Sequence, residues 1–172
     1  MILKNKLLLS LIIFFTACIA WSCKVSYSFT GASISPEVKT VSIDFFPSYA
    51  PLAPPTASQL FTEALKNVFL SQTNLALVSS GGDLEFEGSI TDYSTAPVAI
   101  QGDETAALTR VSMTVNVKFI NNLDEQQNFE TSFSRFEDIE TSQDLTAVEE
   151  QLLQSINDQL TQDIFNKAVT NW

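Results

Sequence analysis

Apolar and polar residues recur along this chain with two clear periods, and those periods predict its elements. From Val38 to Phe46, Val41, Ile43 and Phe45 share one face while Thr40, Ser42 and Asp44 share the other, as in a half-buried strand. Four prolines in Pro47 to Pro55 stiffen a connector that cannot join a ladder. A helix follows, because Ala57, Leu60, Phe61, Ala64, Leu65, Val68 and Phe69 repeat at the three-four spacing of one helical face. Thr56 and Gln59 are spaced as a capping box at its start. Leu75 to Val78 reads as a short strand, and Ser79 to Asp83, with two glycines, turns the chain. Leu84 to Tyr93 alternates again, with Leu84, Phe86, Gly88 and Ile90 on the apolar face.

A loop with an apolar tip, Val98 to Ile100, is expected over Ala96 to Thr105. The next strand, Arg110 to Ile120, has the most regular alternation. Val111, Met113, Val115, Val117 and Phe119 face in, and Arg110, Ser112, Thr114, Asn116 and Lys118 face out. Asn121 to Glu125 carries turn chemistry that joins it in a hairpin to Asn128–Phe136. There Phe136 has the opposite parity to Phe129 and Phe133, which calls for a bulge or a strand end near Ser134. The closing helix has Thr146 and Glu149 spaced as a second capping box. Leu145, Val148, Leu152, Leu153, Ile156, Leu160 and Ile164 stay on one broad face. Phe165, Ala168, Val169 and Trp172 point elsewhere, so the helix bends or ends there, or its last turn meets a second surface. Two striped helices and strands with one apolar face predict an α+β fold, a two-layer sandwich with two helices on one face of a mixed four- to five-stranded sheet. The first strand–helix–strand unit implies a parallel pair and the later hairpins antiparallel ones.

The beginning of the chain adds a location. Lys4 and Lys6 precede the apolar run Leu7–Phe15. That run is shorter than the roughly 20 apolar residues of a membrane span, and suits a cleaved signal peptide better than an uncleaved anchor. Small residues lead to two cysteines, Cys18 after Ala17 and Cys23 after Ser22. Cys18 lies nearer the charges, but cleavage before Cys23 leaves no free thiol in an oxidising compartment, and Cys23 is the expected lipidation site. Residues 1–22 are then the signal peptide, 23–37 the lipidated N-terminus and tether, and 38–172 a single domain. Lys24 to Pro36 is a tether or a first edge strand. Lys24, with no acidic residue beside the cysteine, points to the outer membrane, on its periplasmic side.

Charge and composition exclude more than they assign. Without Lys4 and Lys6, seven cations face 20 acids, a formal charge of −13, which argues against a nucleic-acid partner. Histidine is absent and the mature cysteine is expected to be acylated, so the common general base, zinc ligands and thiol nucleophile are missing. No enzyme activity, cofactor or metal is expected. Asp83, Glu85 and Glu87 suggest a calcium site at most weakly, since hard cations take six or more converging oxygens.

Four segments carry a resemblance: CKVSYSFTGASI (Cys23–Ile34), GGDLEFEGSITDY (Gly81–Tyr93), PVAIQGDETAALTR (Pro97–Arg110) and DIFNKAVTNW (Asp163–Trp172). With them the chain resembles a diverged branch of the LptE family, outer-membrane lipoproteins of lipopolysaccharide transport. The resemblance implies a plug and assembly partner for an LptD-like outer-membrane β-barrel, in contact with lipopolysaccharide itself. It also favours Cys23 over Cys18, since the family's lipidated cysteine lies a few residues before the YSFTG-like segment. Arg110 and Lys118, on the polar face of one strand, are the candidate contacts with the partner or with lipopolysaccharide phosphates. The alternative from another class is a regulatory lipoprotein that binds a periplasmic enzyme or transport complex.

Overall fold

The structure, a computed structural model, describes residues 34–98 and 107–170. Its elements run β1 (Thr40–Ile43), α1 (Ala57–Gln72), β2 (Ala76–Val78), β3 (Leu84–Val98), β4 (Leu108–Asn121), a 3-10 turn (Glu125–Gln127), β5 (Phe129–Glu140) and α2 (Leu145–Thr170). The strands form one mixed sheet in the order β2-β1-β3-β4-β5. β1 is parallel to both its neighbours, and β3, β4 and β5 are antiparallel. Val111, Met113, Val115, Val117 and Phe119 of β4 are buried with α1 and α2 residues in one core, so both helices cover one face, as the periods predict.

The core is tied together by aromatic rings. Phe69 of α1 lies 4.8 Å from Phe86 of β3 and 5.1 Å from Phe165 of α2. Phe86 continues to Phe119 at 4.8 Å, and Phe119 to Phe129 at 5.1 Å, which carries the contact across the sheet to its far edge. Phe165, Ala168 and Val169 are buried in the same core as the rest of the stripe, Phe165 against Phe69 of α1, and the helix runs unbroken to Thr170; Trp172 lies outside the described residues.

Several elements depart from their sequence patterns. The period predicts Phe45 inside, yet Phe45 is 61% exposed and Phe46 is fully buried, 5.1 Å from Phe61. The regular strand ends at Ile43, and the proline connector then runs on beside β3, where Tyr49 N donates to Ile90 O and Ile90 N to Pro47 O. That irregular pairing shifts the parity. The buried Thr62 of α1 holds the shifted chain, accepting from Phe46 N at 3.1 Å. Neither capping box forms. Thr56 makes no side-chain cap, and Gln59 bonds to Glu63 instead. α2 opens at Leu145, and Asp144 accepts from Thr146 N at 3.0 Å, which leaves Thr146 inside the first turn. β3 continues to Val98, past the expected loop start at Ala96, with a register shift between Ile90 and Asp92. Ala99 to Thr105 of that loop lie outside the described residues.

Ser79 to Asp83 is a crossing. β2 and β3 flank β1 without pairing to one another, so the turn must pass over β1. Gly81 has φ +67°. A Cβ on Gly82 would stand 2.6 Å from Ser42 N and 2.9 Å from Val41 C, so only glycine permits the approach. Asp83 fixes the crossing, its carboxylate accepting from Lys39 N at 2.7 Å and from Thr40 N and Thr40 Oγ1 at 2.9 Å. The Lys39 amide and then the Thr40 hydroxyl and amide hold its pKa below the ordinary carboxylate value. A depressed folded pKa contributes stability above the unfolded pKa of about 3.9, and that stability is lost as pH falls through the folded value. Melting temperatures between pH 6 and pH 2 should therefore show a steeper acid loss for the native chain than for Asp83→Asn. Parallel curves would remove Asp83 from the account.

Candidate functional site

The face of the sheet away from the helices is open over β3, β4 and β5. Ser112, Thr114 and Asn116 of β4 stand opposite Ser94, Asp92 and Ser89 of β3, and opposite Phe136, Ser134 and Ser132 of β5. Thr114 Oγ1 and Ser134 Oγ share a hydrogen bond of 3.1 Å. This is a flat field of hydroxyls and amides. The expected bulge near Ser134 is absent, because the β4–β5 register is unbroken from Phe129 to Glu140. Phe136 is simply an outward residue, 47% exposed. The Arg110 guanidinium lies 3.6 Å from its ring centroid and covers it.

Arg110 and Lys118 both sit on this face, as their parity predicts. Eight residues of strand hold them about 26 Å apart, so they cannot grip one phosphate together. Each already has an anion. Arg110 donates Nε and Nη2 to the two Asp138 carboxylate oxygens at 2.8 and 2.7 Å, and Lys118 Nζ lies 3.0 Å from Glu87 Oε2. Lys118 also pairs in register with Glu130. The Arg110 hydrogen bonds hold the Asp138 carboxyl below the usual carboxylate range. All four side chains are partly exposed, so solvent screens both pairs and neither anchors the fold. The face therefore offers hydrogen bonding and one aromatic platform more than free cations.

The acids of the calcium pattern do not converge. Asp83 serves the crossing, Glu85 accepts from Asn122 at 2.7 Å, and Glu87 holds Lys118. Among the described residues no group of three potential metal ligands comes together. Cys23 lies outside the described residues. A feature that the alternation missed is the outer side of the proline connector, where Tyr49 is 73% exposed and Leu52 69%, beside Phe45. Prolines at 47, 51, 54 and 55 were the available signal, since they break the period that would have turned these residues inward.

No helix among the described residues is long and apolar enough to cross a membrane. A helix-covered core under a sheet whose other face is flat and polar makes this a two-layer α+β domain. The chain belongs to the LptE family: the family model, described as lipopolysaccharide-assembly, matches residues 38–168. Members are non-enzymatic envelope lipoproteins that serve lipopolysaccharide transport and outer-membrane assembly. No curated protein matches the chain by sequence. Among solved structures, a hypothetical protein from Chlamydia trachomatis is similar at TM-score 0.54 and 11% identity, covering 76% of this chain and 98% of its own. A protein from Xanthomonas campestris is similar at TM-score 0.50 and 11% identity, over 80% and 90%. A minor lipoprotein from Acinetobacter baumannii matches at TM-score 0.49 and 16% identity, over 78% and 94%. At these identities the likeness concerns the fold.

Proposed function

We propose that this chain is a lipid-anchored partner and plug of an LptD-like β-barrel, held on the periplasmic side of the outer membrane. The observation that carries the proposal is the family match, which spans the whole sheet and nearly all of α2. The shape agrees with it. α2 has 26 residues and is about 39 Å long. A compact two-layer body of this kind can fill a wide, water-filled barrel lumen and give unfinished strands a surface to close around. The flat polar face suits a wall of lumen-facing polar side chains better than it suits a bilayer. Cys23 supplies the anchor in this reading, because two or more acyl chains, each contributing about 0.8 kcal/mol per buried CH₂, give stable attachment.

Depletion of the protein tests the role. The level of correctly assembled barrel should fall and lipopolysaccharide should accumulate before the outer leaflet. Normal barrel levels and normal export would refute the plug and favour the regulatory lipoprotein. Mass spectrometry of the N-terminal peptide tests the anchor, and an acylated peptide beginning at Cys18 would move it. The open face is tested with Arg110→Gln and Lys118→Gln together. Glutamate would add like charges beside Asp138, Glu87 and Glu130 and confuse docking with folding. The melting temperature of the neutral pair should stay close to that of the native chain. Loss of co-purification with the barrel marks the face as the docking surface. Loss of export alone assigns it to the glycolipid.

A further inference from the structure

The two edges of the sheet are unequal. β2 closes one edge with three residues, whereas β5 leaves 12 residues at the other, with no strand beyond it among the described residues. An edge strand presents every second N–H and C=O outward, a template for another extended chain. α2 lies along the inner side of β5, and Arg135 ties the two through Asp163, with Nε 2.5 Å from Oδ2. Above that bridge the seam opens into a cleft of about 280 Å³ whose lining includes Glu137, Ile139, Val148, Leu152 and Ser155. Glu137 Oε1 accepts from Ser155 Oγ at 2.5 Å and from Gln159 Nε2 at 2.6 Å. Both donors are neutral, so the carboxylate is oriented by hydrogen bonds while its charge has no cation against it among the described residues.

A strand added to β5 would direct alternate side chains toward the helix layer and into this seam. The side chain that reaches the cleft meets a mixed lining, apolar at Ile139, Val148 and Leu152 and polar at Gln143, Gln151 and Ser155, with the Glu137 carboxylate fixed within it. Lysine or arginine matches both, with an aliphatic stem for Ile139, Val148 and Leu152 and a cationic head for Glu137. Beyond Glu137 the strand carries Glu130 and Glu140, while Asp138 and Arg135 are already paired with Arg110 and Asp163, so among the described residues the unpaired charge of the edge is acidic. A second copy of the chain would bring acids against acids, which disfavours self-pairing. We infer that β5 accepts an extended segment of a partner polypeptide by strand addition, with a basic side chain of that segment seated in the Glu137 cleft. This inference stands apart from the barrel reading, because it concerns the edge and the helix seam and does not use the open face.

The probe is a short capped peptide of alternating threonine and valine with one central lysine, titrated against the full lipidated chain in detergent micelles. Hydrogen exchange should show new protection at the outward amides of β5. Replacing the peptide lysine with glutamate, or making Glu137→Gln, should each weaken binding about tenfold, with the loss reduced at high salt. Glu137→Gln should keep the native melting temperature, because glutamine can still accept from Ser155 and Gln159. N-methylation of one alternate set of peptide amides should abolish binding, while the other set is tolerated. Protection away from β5, equal binding of the lysine and glutamate peptides, or tolerance of both N-methylated sets would overturn the inference. So would outward β5 amides already protected without peptide. Protection that grows with protein concentration would identify a second copy as the occupant, and protection independent of it a segment of the chain itself.

Discussion

Gly88→Ala should lower the stability of the domain by about 3 kcal/mol or more, the severe end of overpacking. The ideal Cβ at this position falls 2.1 Å from Asn116 O and 2.5 Å from the Phe46 ring. The carbonyl is backbone in the neighbouring strand, so relief requires β3 and β4 to separate, at a cost in ladder hydrogen bonds. The ring cannot yield either, because Phe46 is fully buried against Phe61. In a domain of this size the loss corresponds to a drop of roughly 10 °C in melting temperature. Ser89→Ala, one residue along and on the open face, serves as the control and should change stability by no more than about 0.5 kcal/mol. Equal melting of the two variants would show that β3 and β4 do not approach so closely in solution. A reader of the sequence sees Gly88 on an apolar strand face and expects only a weak spot; the reason for glycine is the Phe46 ring and the partner carbonyl.

Phe69→Ala should be nearly as damaging, at about 3–5 kcal/mol. Phe69 is fully buried, and its ring joins the three parts of the core, touching Phe86 in the sheet and Phe165 in α2. Truncation leaves a void that neither helix nor sheet can fill without moving the other, so the cavity penalty adds to the lost transfer energy. Denaturant unfolding measures the effect. Leu70→Ala, at a position 49% exposed on the same helix, should cost a small fraction of it. Comparable losses at positions 69 and 70 would contradict the placement of α1 on the sheet. Because α2 rests on Phe69 through Phe165, the variant should also weaken the α2–β5 seam, so peptide capture at Glu137 is measured on separate variants.

Much of the fold is legible in the residues because it rests on near neighbours. The alternation of Val111 to Phe119 can be satisfied only by a strand with one buried face, and the stripe from Ala57 to Phe69 only by a helix packed on one side. Their order then restricts the architecture to helices on one face of a mixed sheet. The same local logic misplaced Phe45 and asked for a bulge at Ser134. In the first case a distant partner, Ile90, takes the connector's hydrogen bonds and Thr62 catches Phe46 N, which resets the parity. In the second, Phe136 has no need to be inside, because Arg110 from the next strand covers it. Both capping boxes had the right spacing. Spacing does not decide which side chain turns toward the helix end, and Asp144 captures the second one.

The candidate sites divide in the same way. Sequence by itself determined the class of fold, the parity that puts Arg110 and Lys118 on the open face, and the resemblance that the family match upholds. All of these are carried by residue type and period, which survive any arrangement of distant segments. Tertiary structure alone decided that the two cations are bound to Asp138 and Glu87. It alone decided that the two-glycine turn crosses β1, and that Glu137 of β5 meets Ser155 and Gln159 of α2 beside an open sheet edge. Each of those facts is a contact between residues 18 or more positions apart. Such a pairing depends on strand order and helix placement, and the period of a single segment holds no information about either.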